Sequence, residues 1–462
     1  MTEAKEIVTL PLAEVGRRLR NGSLTCQALT EACLSREAES GHLNAWSHLM
    51  AGTARRSAEA LQALLECGHD LGPLHGIPMG LKANIALAGQ PMTAASRILK
   101  DNLATADAVM TRRLKQAGAV FLGLTNMHEF AWGGTTANLH TGICANAWDA
   151  GRIPAGSSGG SGTAVAIGSA MATLGTDTGG SVRLPASMNG VTGLRPTVGR
   201  LSTEGIFPLA SSMDTVGPLA RGAEDCALMF NAMCREDQCI DRAKLEARLN
   251  QPLSGRRIGL IRGYTDENVQ SDIAAAFRET VAAFERAGAA MVMLDIAGLE
   301  VSVDAQVIVD AAEPSTVHDA WIDSRDAEYG DDVRAQLIAG RTFTATEYLH
   351  AQRYRTWLRR QFDAAFEGVD AILTPTLPFT APRMGEAAVM IGDRMESTLT
   401  GNMRYTALPS LTALPALSFP IGFDRDGLPI GGQLIAAARE EITLLNLAHL
   451  FQRDTDFHSR LP

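Results

Sequence analysis

Short apolar runs bounded by Gly or Pro alternate with longer segments of helical periodicity along most of the 462-residue chain, and this alternation limits the fold more than any other feature. RRIGLIRG and AMVMLDI flank the helical stretch SDIAAAFRETVAAFERAGA and read as a strand–helix–strand unit of the parallel-sheet type. Further strands are predicted in VFLGLT, MATLGT and VDAILTPTLP. A short one ends near Lys82 in GPLHGIPMGLKANIAL, where Gly72, Pro73, Gly76 and Pro78 punctuate the preceding turn. Near the C-terminus, two apolar runs joined by Asp-Arg-Asp-Gly carry a hairpin signal and add an antiparallel excursion. Strands alternating with helices in this way predict an α/β fold with a central mixed, mostly parallel-type sheet covered by helices.

Residues 8–65 read as helices, with Ser23 ahead of Leu24 and Thr25 as an N-cap signal. A helix is expected in ADAVMTRRLKQAGA and a long loop from Asn126 to Pro154. No repeat, low-complexity tract or linker divides the chain, so residues 1–462 are expected to form one domain. Within it, 1–65 is an N-terminal helical segment, 66–220 a core, 221–370 a variable helical and strand region, and 371–462 the C-terminal strands and helix.

A formal net charge of -10 and the lack of a basic stripe argue against a sequence-independent grip on nucleic acid. The opening residues are acidic and then amphipathic, unlike a signal peptide, and no apolar run approaches the roughly 18 residues of a membrane span. The expected location is the cytoplasm. The seven cysteines are odd in number, scattered and without CxxC spacing, which favours buried free thiols over a zinc site.

The chemistry is concentrated in AGSSGGSGTAVAIGSAMATLGTDTGGSVRLPA, Ala155 to Ala186, which holds several serines and glycines, one arginine and no histidine. In GTDTGGSVRLP a strand runs into a Gly-Gly turn, where the amides of Thr178, Gly179, Gly180 and Ser181 could cradle an oxygen that turns negative as Ser181 attacks a carbonyl. A glycine turn that only packs, or one that binds an anion, fits the same residues. GSSGGSG has neither phosphate-loop nor dinucleotide spacing, and GGSVR misses the GxSxG elbow because Arg183 stands at the second glycine. A nucleophilic serine here has no histidine relay in view.

The pairing of GSSGGSGTAVA with GTDTGGSVRLPA, preceded by GIPMGLKANI, resembles the amidase signature family, whose members cleave amides and some carbamates and ureas with a Ser-cisSer-Lys triad. The likeness runs from about residue 60 to residue 440, through LTNMHEFAWG, ASSMDTVGPLAR and LPALSFPIGFDRDGLPIGGQLIA. It implies Ser181 as nucleophile, Ser157 as the bridging serine after a cis peptide from Gly156, and Lys82 as the terminal base. Lys82 would have to be held largely neutral, against a free value of about 10.4, by an apolar pocket. Ser158, Asp177 and Arg183 would brace the site. The resemblance implies neither metal nor cofactor.

The sequence departs from the family pattern at Ala83, where an aspartate is frequent, at Ala155, where a glycine is, and at Ala147, where a proline is. The loop NMHEFAWGGTTANLH is expected beside the cleft, with Met127 and Trp132 as pocket candidates and Met127 and Phe130 equally readable as core. His128 and His140 read as structural or substrate-contact residues, and His75, within GPLHGIP, as a turn residue. Met390, Ile391, Met403 and Tyr405 are candidates to close the pocket from the C-terminal side.

The NMHEFAWG region is similar to that of indoleacetamide and mandelamide hydrolases, so the expected reaction is hydrolysis of a small apolar or aromatic amide through a serine acyl-enzyme. A carbamate or urea hydrolase of the same family is one alternative. The glutaminase subunit of a tRNA-dependent amidotransferase is another, disfavoured because GNMRYTALPSLTALPALSFP lacks the acidic residue that commonly holds the glutamine amino group. A catalytically dead binding protein is a third, weakened by retention of all three triad positions. The expected partner is a small-molecule amide, with no nucleic acid and no membrane. Similar enzymes are often dimers, which admits a homodimer.

Overall fold

The structure, a computed structural model, describes residues 2–462. Eleven strands form one sheet: β1 Trp46–Leu49, β2 Pro78–Lys82, β3 Val120–Thr125, β4 Ala172–Asp177, β5 Thr192–Arg195, β6 Thr215–Ala220, β7 Arg257–Ile261, β8 Ala290–Leu294, β9 Ala371–Pro375, β10 Ala416–Phe423 and β11 Pro429–Ile435. Their order across the sheet is β1-β3-β2-β4-β6-β5-β10-β11-β9-β7-β8. Pairing is parallel within β3-β2-β4 and β9-β7-β8, and antiparallel from β4 across to β9 and between β1 and β3.

The single α/β domain with a mixed sheet flanked by helices is the predicted architecture, but antiparallel pairing outweighs parallel. The reason is the insertion of β5, β6 and the hairpin β10–β11 between two parallel units. Strands β2 to β6 have no exposed residue, because helices lie over both faces. The N-terminal segment, expected to be all helical, contains β1. Its residues pair with the open edge of β3, whose hydrogen bonds outweigh a weak local helical pattern. The helix Cys26–Ser40 is capped by Thr25, whose side chain accepts from Ala28 N, and not by Ser23, which bonds Asn21. Of the seven free thiols, Cys67 and Cys239 are exposed and the other five buried. Among the described residues no helix is long and apolar enough to cross a membrane.

Register positions the site. Leu81 of β2 faces Leu174 of the parallel neighbour β4, so Lys82 and Thr176 leave the sheet side by side at the same carboxyl-terminal edge. The wholly buried helix Gly159–Ile167 then packs against this edge. A Cβ at Gly160 would collide with Ala45 O and lie 2.5 Å from Asn126 O, so only glycine lets the helix come this close. Glycines in a helix cost about 1 kcal/mol each, and burial of the whole segment offsets that cost.

Candidate active site

Lys82 is completely buried, with its Nζ 2.7 Å from Ser157 Oγ and 2.7 Å from Thr176 Oγ1. Burial draws its pKa down to about 7, against the smaller opposing pull of Asp177 and Asp214. Ser157 is also fully buried and follows a cis peptide from Gly156. Thr176 Oγ1 receives Asn84 Nδ2 as well, at 3.3 Å, so the amine is held by hydroxyls and not by a carboxylate.

Ser181 stands on the turn between β4 and the helix Arg183–Asn189, 9% exposed at the cleft. Its carbonyl accepts from Ser158 N at 3.2 Å, which ties the turn to the Ser157 loop, and Ser158 Oγ donates to Thr176 O at 3.3 Å. Among the described residues, the Ser181 hydroxyl makes no hydrogen bond, so the Ser157–Ser181 link implied by the resemblance is open. Such bonds are often long before substrate is bound and tighten with it.

Asp177 organises the turn from within. Its carboxylate accepts from the backbone of Gly180 at 2.9 Å and Val182 at 3.1 Å, and from Arg183 Nη2 at 2.9 Å and Arg195 Nη1 at 3.0 Å. Burial would raise its pKa, and the two guanidiniums overcome this and hold it far below the usual carboxylate range. One expectation is corrected here: the Gly180 amide is donated to Asp177 and is not free for an oxyanion. The amides of Thr178, Gly179 and Ser181 have no protein acceptor among the described residues and remain available. Thr178 Oγ1 is anchored to Asp214 at 2.6 Å, and Arg183 reaches on to Gln433 at 2.7 Å and Ser410 at 2.9 Å.

A buried lysine against a serine, with a second serine on an amide-lined turn, is accompanied by a match of residues 28–445 to the family model described as Amidase. The chain belongs to the amidase family. It is similar to one subunit of the glutamyl-tRNA(Gln) amidotransferase of Moorella thermoacetica, 36% identical over 99% of both chains. Among solved structures, it is similar to a chain from work on a vestigial protein complex that reveals the evolutionary origins of an s-triazine catabolic enzyme, at TM-score 0.90 and 33% identity over 96% of this chain and 98% of that one. A crystal structure of an amidase matches at TM-score 0.90 and 32% identity, over 96% of this chain and 100% of that one.

In this amidase Ser181 opens on a cavity of about 220 Å³ whose wall is mostly apolar, with Trp132, Leu184, Leu209, Phe343 and Met403 among its residues. Of the pocket candidates, Trp132 and Met403 line it and the others do not. Met127 is buried in the main core, and Tyr405 is buried with its hydroxyl on Tyr264 O at 3.3 Å, because the chain turns both side chains away from the cleft. Ile391 packs against Phe379 and its neighbours, and Met390 is half exposed on a hairpin. The histidines are structural: His128 pairs with Asp332 at 2.8 Å, His140 stands 3.1 Å from Glu129, and His75 bonds the backbone of Leu71 and Leu61.

Sequence reasoning missed Thr176, Arg195 and three polar cavity residues, Gln306, Asp310 and Asn402. Gln306 and Asp310 left a faint signal, a polar pair four residues apart in AQVIVDAA, residues 305–312, which is otherwise apolar.

Proposed function

We propose that this amidase hydrolyses the C–N bond of a small amide through an acyl-enzyme on Ser181. The observation that carries the reading is a lysine, wholly buried and drawn down to about 7, in contact with Ser157 beside a turn that presents Ser181 and unused amides to a small cavity. Neutral Lys82 takes the Ser157 proton as the Ser181 hydroxyl rotates toward Ser157 and passes on its own. Ser181 Oγ bonds to the carbonyl carbon, and the amides of Thr178, Gly179 and Ser181 receive the oxygen as it becomes negative. The relay returns the proton to the leaving nitrogen, the C–N bond breaks, and water cleaves the ester by the reverse path, giving the carboxylic acid and ammonia or an amine. Asp177, Arg183 and Ser158 hold the turn and loop in place.

In the assay that tests this, purified protein hydrolyses small primary amides, and Ser181→Ala and Lys82→Ala each lose at least 10³-fold in kcat/KM. Full turnover by either variant would overturn it.

A second reading, the glutamine-hydrolysing subunit of a tRNA-dependent amidotransferase, is supported by the similarity over nearly the whole of both chains to the Moorella thermoacetica protein. The cavity opposes it: neither Lys nor Arg lines the wall to receive the α-carboxylate of glutamine. Copurification with partner subunits and turnover confined to glutamine would favour that second reading.

A further inference from the structure

The cavity beside Ser181 contains a polar patch that the fold leaves unsatisfied. Gln306 Oε1, Asp310 Oδ1 and Asn402 Oδ1 are all buried and have no hydrogen-bond partner among the described residues, and each residue lines the cavity. Gln306 is 1% exposed and Asn402 3%. A buried acceptor without a partner is costly enough that folds seldom keep one, and here three such acceptors belong to residues around one small cavity.

Two elements build this surface. Gln306 and Asp310 lie one turn apart on the helix Ser302–Val317, and Gln306 Nε2 donates to Asp310 Oδ2 at 2.9 Å. They sit directly on the turn that carries Ser181: a Cβ at Gly179 would collide with Gln306 Nε2 and lie 3.3 Å from Asp310 Oδ2. Asn402 approaches from the facing wall, where a Cβ at Gly134 would lie 2.7 Å from its Nδ2. Its Nδ2 donates to no protein acceptor among the described residues, so neither end of this carboxamide is used within the protein.

We propose that Gln306, Asp310 and Asn402 form a subsite for a second, neutral N–H-bearing carbonyl group, a carboxamide or ureido unit, on the same small molecule whose amide is cleaved. A carboxamide free at both ends matches another carboxamide in a two-point hydrogen bond, and Gln306 adds an acceptor for a further N–H. Burial, with Asp214 and Glu313 nearby, pushes the Asp310 carboxyl up to about 7, while Gln306 and Arg195 pull the other way. Near neutrality it therefore supplies either a donor or an acceptor to an uncharged group. With no cation on the wall, a carboxylate has no partner here. The close approach to Gly179 requires the second group to lie only a few bonds from the scissile carbonyl.

This inference rests on the hydrolase reading, and isosteric pairs separate the two. Malonamide and succinamide are compared with isovaleramide and 4-methylvaleramide, in which an isopropyl group replaces the second carboxamide. The wild-type protein is expected to favour each diamide about tenfold or more in kcat/KM, since the monoamide leaves buried polar groups unpaired. Gln306→Leu and Asn402→Leu are expected to bring that ratio near one, with the diamide losing the larger share of its kcat/KM. A wild-type ratio near one, glutamine turned over faster than either diamide, or variants that keep the ratio would each overturn the subsite. If no amide is hydrolysed, the acyl-enzyme reading falls, and calorimetric binding of malonamide against isovaleramide decides the subsite alone: preference for malonamide supports it and equal binding overturns it.

Discussion

An ammonium removed from water needs a carboxylate against it to stay charged, and Lys82 has within reach two hydroxyls and a backbone carbonyl but no carboxylate. Its pKa therefore falls from the ordinary lysine value of 10.5 to about 7. Between those values the unfolded chain binds the proton that the folded chain releases, so this residue destabilises the fold most below pH 7 and ceases to do so above 10.5. Lys82→Met is accordingly expected to raise the unfolding free energy at pH 7 by on the order of a few kcal/mol, less whatever the lost hydrogen bonds cost, with the gain shrinking toward pH 10. Denaturant unfolding of both proteins at pH 6, 7 and 10 checks this, and a gain that grows with pH would contradict a neutral lysine. The same group predicts amide turnover that rises as pH passes about 7, where the base loses its proton.

At the scale of elements, the turn from β4 into the helix Arg183–Asn189 is held by one buried carboxylate shared between two buried guanidiniums. Asp177→Asn keeps the shape and removes the charge, leaving Arg183 and Arg195 without compensation. A stability loss of about 3–5 kcal/mol is expected, read as a lower denaturant midpoint. A loss below about 1 kcal/mol would mean that the hydrogen bonds, and not the charge, hold the turn. Ala155 shows how tightly the neighbouring loop is determined: it takes φ +61°, in the left-handed region that favours glycine, while its carbonyl accepts from Thr136 Oγ1 at 2.7 Å.

Across the whole molecule, the hairpin β10–β11 is the seam of the sheet, since β10 pairs with β5 on one side and β11 with β9 on the other. Gln433 of β11 also receives Arg183 from the turn that carries Ser181. Truncation after residue 413 would expose two sheet edges, β5 and β9, and unseat that arginine, so it is expected to abolish cooperative unfolding, as followed by circular dichroism. A cooperative transition in the truncated protein would show that the N-terminal strands fold by themselves.

The alternation of apolar strands with amphipathic helices, the hairpin at Asp-Arg-Asp-Gly, and the glycine-rich run that admits a helix against the strand ends are all local signals, and the sequence alone determined them. A strand pattern or a glycine turn depends on residues close in the chain, and each can be read without knowing its neighbours in space. Only the tertiary structure decided that β1 pairs with β3, that the Gly180 amide is spent on Asp177, and that Tyr405 turns away while Gln306, Asp310 and Asn402 line one cavity. Those outcomes depend on which elements pack together and which way a side chain turns, and hydrophobic periodicity along the chain announces neither.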